Sequence, residues 1–89
     1  MNKVVLVDDE IFARQGLKNL IDWEQCGFQV CEEAENGEEA LEIIRARNPE
    51  LVITDIRMPV LDGLELVRVV RESGNHSVRF VIISGFNDF

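Results

Sequence analysis

Oxygen-bearing side chains recur at the ends of apolar runs in this chain. Val4-Val5-Leu6-Val7 runs into Asp8-Asp9-Glu10, Leu51-Val52-Ile53-Thr54 into Asp55, and Val78-Arg79-Phe80-Val81-Ile82-Ile83 into Ser84-Gly85. A single aspartate at the end of a strand is an ordinary turn cap. Three carboxylates gathered at one place are different, because like charges repel strongly unless a cation joins them. Hard oxygen donors with no imidazole or thiolate among them suit Mg2+, which keeps several waters and uses few carboxylates. The chemistry therefore depends on whether the fold brings these ends together.

The elements that must do so can be read from hydrophobic period. Val4 to Val7 is a β-branched, continuously apolar run, expected as a central strand buried on both faces. A helix follows in which Ala13, Gly16, Leu17 and Leu20 share one face, with Arg14, Gln15, Lys18 and Asn19 on the other. Gly16 costs roughly 1 kcal/mol against Ala there, and close packing on the sheet is the expected compensation. Trp23, in the next loop, is expected to plug the packing. Phe28 to Ala34 alternates, with charges on one side, and is expected as an exposed or edge strand. Asn36-Gly37 signals a turn, and a helix over 38–47 has Ala40, Leu41 and Ile44 inward, ending at Asn48-Pro49. After the Leu51–Thr54 strand, Pro59 stops regular structure and Val60-Leu61-Asp62-Gly63 forms a loop. The third helix covers 64–72 with Leu66, Val67 and Val70 inward, and Ser73-Gly74-Asn75 ends it. The fourth strand runs from Val78 to Ile83.

This βαβαβαβ order implies a parallel sheet joined by right-handed crossovers. Its strands all end on one edge. If the first, third and fourth strands are neighbours, three carboxylates and the Ser84 hydroxyl converge there.

Bulk properties narrow the function. The chain has 89 residues, enough for one domain at most, and is 46% apolar and 29% charged, as in a globular protein. A formal net charge of −8 argues against non-specific nucleic-acid binding and against adhesion to an anionic membrane. Cys26 and Cys31 are read as reduced thiols of a cytoplasmic protein, since no secretory signal precedes them and the single His76 is remote. His76, in a Gly-Asn-His-Ser loop, is read as a solvated residue and not a phosphodonor.

Three motifs together resemble the receiver domain of two-component response regulators. They are Val7-Asp8-Asp9-Glu10, Thr54-Asp55-Ile56-Arg57-Met58-Pro59-Val60-Leu61-Asp62-Gly63 and Ile83-Ser84-Gly85, with Ala34-Glu35-Asn36-Gly37-Glu38-Glu39-Ala40-Leu41 between them. The resemblance spans the whole chain in order and spacing. It implies a flavodoxin-like three-layer α/β fold with sheet order 2-1-3-4-5, here reduced to four strands and three helices. It implies that Asp55 accepts a phosphoryl group from a histidine kinase. Asp8, Asp9 and Asp55 would hold Mg2+ together with the backbone carbonyl of Arg57, and Ser84 would contact a phosphoryl oxygen and follow it as a switch. Met58 and Pro59 would shape the adjoining loop, and Gly63 would give the tight approach of the third helix.

The family pattern continues past Ser84 with a fifth strand, two more helices and a Lys that pairs with the phosphoryl group. None has a counterpart before Phe89. Residues 1–89 are accordingly expected to be a C-terminally incomplete receiver domain, and its fourth strand is expected to pair with another chain in a homodimer or swapped assembly. The Trp23-Glu24-X-X-Gly27-Phe28 loop and the Ser84–Phe89 segment resemble receivers attached to AraC-type DNA-binding domains. That implies a transcription regulator that touches DNA only through a separate output domain.

Two other readings use the same residues. A Mg2+-dependent aspartyl-phosphate phosphatase commonly has a second Asp two residues after its nucleophile, whereas Arg57 stands there and cannot act as an acid at neutral pH. An interaction or dimerisation module would keep the fold without phosphorylation; the joint presence of Asp8, Asp9, Asp55 and Ser84 argues against it for the parent regulator, while truncation keeps it open for these 89 residues. The absence of a GK[ST] loop excludes a P-loop enzyme.

Overall fold

A computed structural model of the chain describes residues 1–83. The elements alternate as β1 (Asn2–Val7), α1 (Ile11–Leu20), β2 (Phe28–Ala34), α2 (Gly37–Arg47), β3 (Leu51–Asp55), α3 (Gly63–Glu72) and β4 (Arg79–Ile83). The four strands form one parallel sheet in the order β2-β1-β3-β4. β1 therefore lies inside the sheet, and Val4, Val5, Leu6 and Val7 are all buried, as their unbroken apolar run requires. β2 is an edge strand.

Pairing of β1 with β2 carries a one-residue register shift. Val4 lies beside Val30, but Val5 lies beside Glu32, so Cys31 is the extra residue. A shift by one residue exchanges the two faces of a strand. Beyond it, Glu33 sits beside Leu6 and Ala34 beside Val7.

The two sheet faces are covered differently. α2 and α3 pack on one face, around Val5, Val7, Ala34, Val52, Ala40, Ile44, Leu66 and Val70. Both helices start with side-chain caps. Asn36 accepts from the Glu39 N–H at 2.8 Å, and Asp62 and Glu65 form a reciprocal capping box. Asn36-Gly37 is thus the cap and first residue of α2, where the sequence pattern suggested a turn ahead of it. α2 ends with Asn48 in the left-handed region, at φ 50°.

α1 lies on the other face, over a smaller cluster of Val4, Leu6 and Ile53 joined by Leu17, Trp23, Phe28, Val30 and Leu51. Trp23 packs there as expected, and its indole N–H donates to the Lys18 carbonyl at 3.1 Å. The expected inward face of α1 is corrected. Ala13, Gly16 and Leu20 are exposed, while Arg14 and Leu17 are the half-buried positions. The helix is turned by about one residue's step, ~100°, from the apolar-in arrangement. Arg14 makes polar contacts from this half-buried position, described below. Gly16 has nothing among the described residues within 4 Å of the place a Cβ would occupy, so close packing against them does not explain this glycine.

Candidate functional site

Asp8 and Asp55 come together because β1 and β3 are adjacent and in register. Val7 lies beside Thr54, so the next residue of each strand projects past the same edge of the sheet. Consecutive strands leave this boundary in opposite directions, β2 from one side and β4 from the other, which makes it the crevice where open α/β sheets bind ligands. Carboxylate oxygens of Asp8, Asp9 and Asp55 all lie within 4.8 Å of one another. Asp8 and Asp55 are half-buried and Asp9 is exposed.

The main chain beneath these acids is held by hydrogen bonds. The Asp8 N–H donates to the Ala34 carbonyl at 3.0 Å, and the Glu10 N–H donates to Asp8 Oδ1 at 2.9 Å. On the β3 side, the fully buried Thr54 hydroxyl donates to the Asp55 carbonyl at 3.0 Å. The Ile56 N–H donates to the Ile83 carbonyl at 3.2 Å, and the Gly63 N–H donates to the Ile56 carbonyl at 2.8 Å. A Cβ on Gly63 would stand 2.3 Å from the Asp55 carbonyl oxygen, so only glycine lets α3 start this close to the acid. Gly37 has a matching role, for its Cβ would meet the Leu61 carbonyl oxygen at 2.3 Å and so displace the loop between β3 and α3. Pattern reading treated Gly37 as a turn residue, and only the packed structure reveals this contact.

Electrostatics at the cluster are unfavourable in the absence of a cation. Burial pushes the Asp8 carboxyl above the usual carboxylate range. The Glu10 N–H pulls it back, and the charges of Asp55 and Asp9 push it up again. A donor set of three crowded carboxylates, without imidazole or thiolate, fits a hard divalent cation.

Arg57 is exposed and lines an open depression with Met58, Pro59 and Asp62. Met58 is buried within the larger core. Val60 has φ 71°, a left-handed conformation that costs a β-branched residue about 1–3 kcal/mol, and it is exposed. Ser84 lies outside the described residues, as does the rest of the Ser84–Phe89 segment. His76 is exposed, as its loop context suggested.

A residue absent from the sequence-based site also reaches the cluster. Arg14 Nη1 donates to the Asp8 carbonyl, and its Nε donates to Glu33 Oε1 at 3.1 Å. Lys18 Nζ donates to Glu33 Oε2 at 2.8 Å. The hydrogen bond from Lys18, and then that from Arg14, hold the Glu33 carboxyl below the usual range against the opposing effect of burial.

No helix among the described residues is long and apolar enough to cross a membrane. The sequence profile of the response regulator receiver domain matches residues 4–89. An uncharacterised transcriptional regulatory protein of Bacillus subtilis, YesN, is 43% identical over all 89 residues, which make up 24% of its length. Among solved structures, the REC domain of AraT, a response regulator from Geobacillus stearothermophilus, superposes with a TM-score of 0.88 at 36% identity. That match covers 99% of this chain and 67% of that one. A two-component transcriptional regulator AraC from Clostridium phytofermentans gives a TM-score of 0.86 at 32% identity, covering 99% of this chain and 70% of that one.

Proposed function

Because the chain belongs to the response regulator receiver domain family, we propose that Asp55 is its phosphoacceptor, phosphorylated by a histidine kinase to switch a transcriptional output domain. The observation that carries this reading is the meeting of Asp55 with Asp8 and Asp9 at the β1–β3 crevice. An Asp55 carboxylate oxygen attacks the phosphorus of a phosphohistidine in line. The phosphorus–nitrogen bond breaks, and its electron pair stays on the imidazole.

Asp8, Asp9 and Asp55, with the Arg57 backbone carbonyl, are the residues we assign to hold Mg2+. When bound, that ion supplies charge neutralisation and alignment for the transferring group. The hydrogen bonds of Thr54 and Gly63 fix the main chain around Asp55, so its carboxylate meets the phosphorus from a rigid base. Ser84 is assigned the contact to a phosphoryl oxygen.

The whole regulator is read as a cytoplasmic, AraC-type transcription factor that contacts DNA only through its output domain. Similarity to YesN and to the Clostridium AraC regulator supports that extension. Residues 1–89 are read as part of a receiver domain, in keeping with their spanning 67% and 70% of the two solved chains compared above. β4 pairs only with β3 among the described residues, with Val81 47% and Ile83 40% exposed. We read this edge as the one through which the 89-residue piece pairs with a second copy.

Intact mass spectrometry after treatment with a small-molecule phosphodonor and Mg2+ tests the assignment. One added phosphate is expected on the protein and none on Asp55→Asn. Equal phosphate on both would remove Asp55 from the role.

A further inference from the structure

Arg14 is the half-buried cation beside the acidic cluster, with only 12% of its side chain exposed. It spends its hydrogen bonds on the Asp8 carbonyl and on Glu33, which belongs to a different strand. The register shift at Cys31 is what makes this possible. Without it, Val7 would lie beside Glu33 and Leu6 beside Glu32. With it, Glu33 shares the α1 side of the sheet with Leu6 and meets both Arg14 and Lys18. Arg14 and Asp8 also line a small cavity of about 20 Å³ together with Asp55 and Leu17.

The Asp8 main chain is consequently fixed on both sides, its N–H on the Ala34 carbonyl and its C=O on Arg14. The peptide between Asp8 and Asp9 carries both acids. Releasing its carbonyl would let that peptide rotate and separate the two carboxylates. We propose that Arg14, braced by Glu33, is a positioning residue that sets the Asp8–Asp9 peptide for divalent-cation binding. This rests on the reading of Asp8 and Asp9 as metal ligands.

The sign of the effect separates positioning from charge. As a bare positive charge, Arg14 opposes a divalent cation, so removing it would tighten binding. As a brace, its removal weakens binding, and outer partners of metal ligands typically matter by about 10–100-fold. Calorimetric titration of the full-length, unphosphorylated protein with Mg2+ alone distinguishes them.

Arg14→Ala is expected to weaken Mg2+ binding by roughly 10-fold or more. Arg14→Lys, which keeps the charge but not the two-pronged contact, is expected to weaken it less, and Glu33→Gln to shift it in the same direction. Val70→Ala, which loosens the core on the α2 and α3 face away from the acids, is expected to leave Mg2+ affinity unchanged. Unchanged or tighter binding in Arg14→Ala overturns the proposal. So does an equal loss in Val70→Ala. Should Arg14→Ala fail to fold, wild-type affinity in both Arg14→Lys and Glu33→Gln overturns it. A wild-type protein that takes up no Mg2+ defeats the metal-site reading itself, and the proposal with it.

Discussion

On the α2 and α3 side, the sheet buries Val5, Val7, Ala34 and Val52 against Ala40, Ile44, Leu66 and Val70. On the α1 side it buries only Val4, Leu6 and Ile53 among the described residues, and α1 contributes no buried residue of its own. Phe12 on that helix is 86% exposed. The first face is closed by apolar packing and by two glycines that admit close backbone approach. The second is held by Leu17, Trp23 and a bracket of Arg14, Lys18 and Glu33. The acidic site lies between them, its β3 side backed by apolar packing and its β1–α1 side tied by charged contacts.

The sharpest way to break this comparison is to delete one leucine from each face. Leu66 is fully buried between α3 and the sheet, and Leu66→Ala is expected to cost about 2–5 kcal/mol. Leu17 is half-buried, and Leu17→Ala is expected to cost about 1 kcal/mol in proportion to the smaller area covered. Urea unfolding of both variants measures the difference. Equal losses would mean that the two faces contribute alike.

Glycine replacements sharpen the same contrast with opposite signs. Gly63→Ala drives a methyl into the Asp55 carbonyl and is expected to destabilise by about 1–3 kcal/mol. It should also reduce phosphate uptake, because the acceptor's main chain must shift. Gly16→Ala meets open space in the interior of α1 and is expected to stabilise by about 0.5–1 kcal/mol. Thermal melts of the two variants moving in the same direction would contradict the packing described for α1.

Those two glycines also mark what could be read from the chain. The β1 and β3 runs, the helix end at Asn48 and the acids at the strand ends are local signals, and each falls where its pattern suggested, whereas Asp62, read as a loop residue, caps α3. Convergence of Asp8, Asp9 and Asp55 needed the order of the strands, which the family resemblance supplied. The orientation of α1 was not legible, because an apolar-in rule assigns Arg14 outward. Its inward position depends on Glu33, whose side of β2 is set by a one-residue shift that leaves no mark in the hydrophobic alternation. The close contacts of Gly37 with Leu61 and Gly63 with Asp55 likewise join segments distant in sequence.

The smallest expected effect tests the bracket through pH. The folded Glu33 carboxyl sits below its ordinary value because Lys18, and then Arg14, donate hydrogen bonds to it. A depressed acid binds its proton more weakly when folded, so the unfolded chain holds more protons over the transition. The resulting stability is fully present above the ordinary glutamate range, near pH 4.5. It is lost as pH falls from there through the folded value. With Glu33 22% exposed and Lys18 41% exposed, solvent screens the pairs, and the contribution is expected to stay below about 1 kcal/mol. Hydrogen exchange should therefore quicken in α1 before α2 or α3 as the solution is acidified. In Glu33→Gln that acid-dependent step should be absent, since the glutamine has no proton to gain. Persistence of the α1 step in Glu33→Gln would transfer the acid sensitivity of this face to another group.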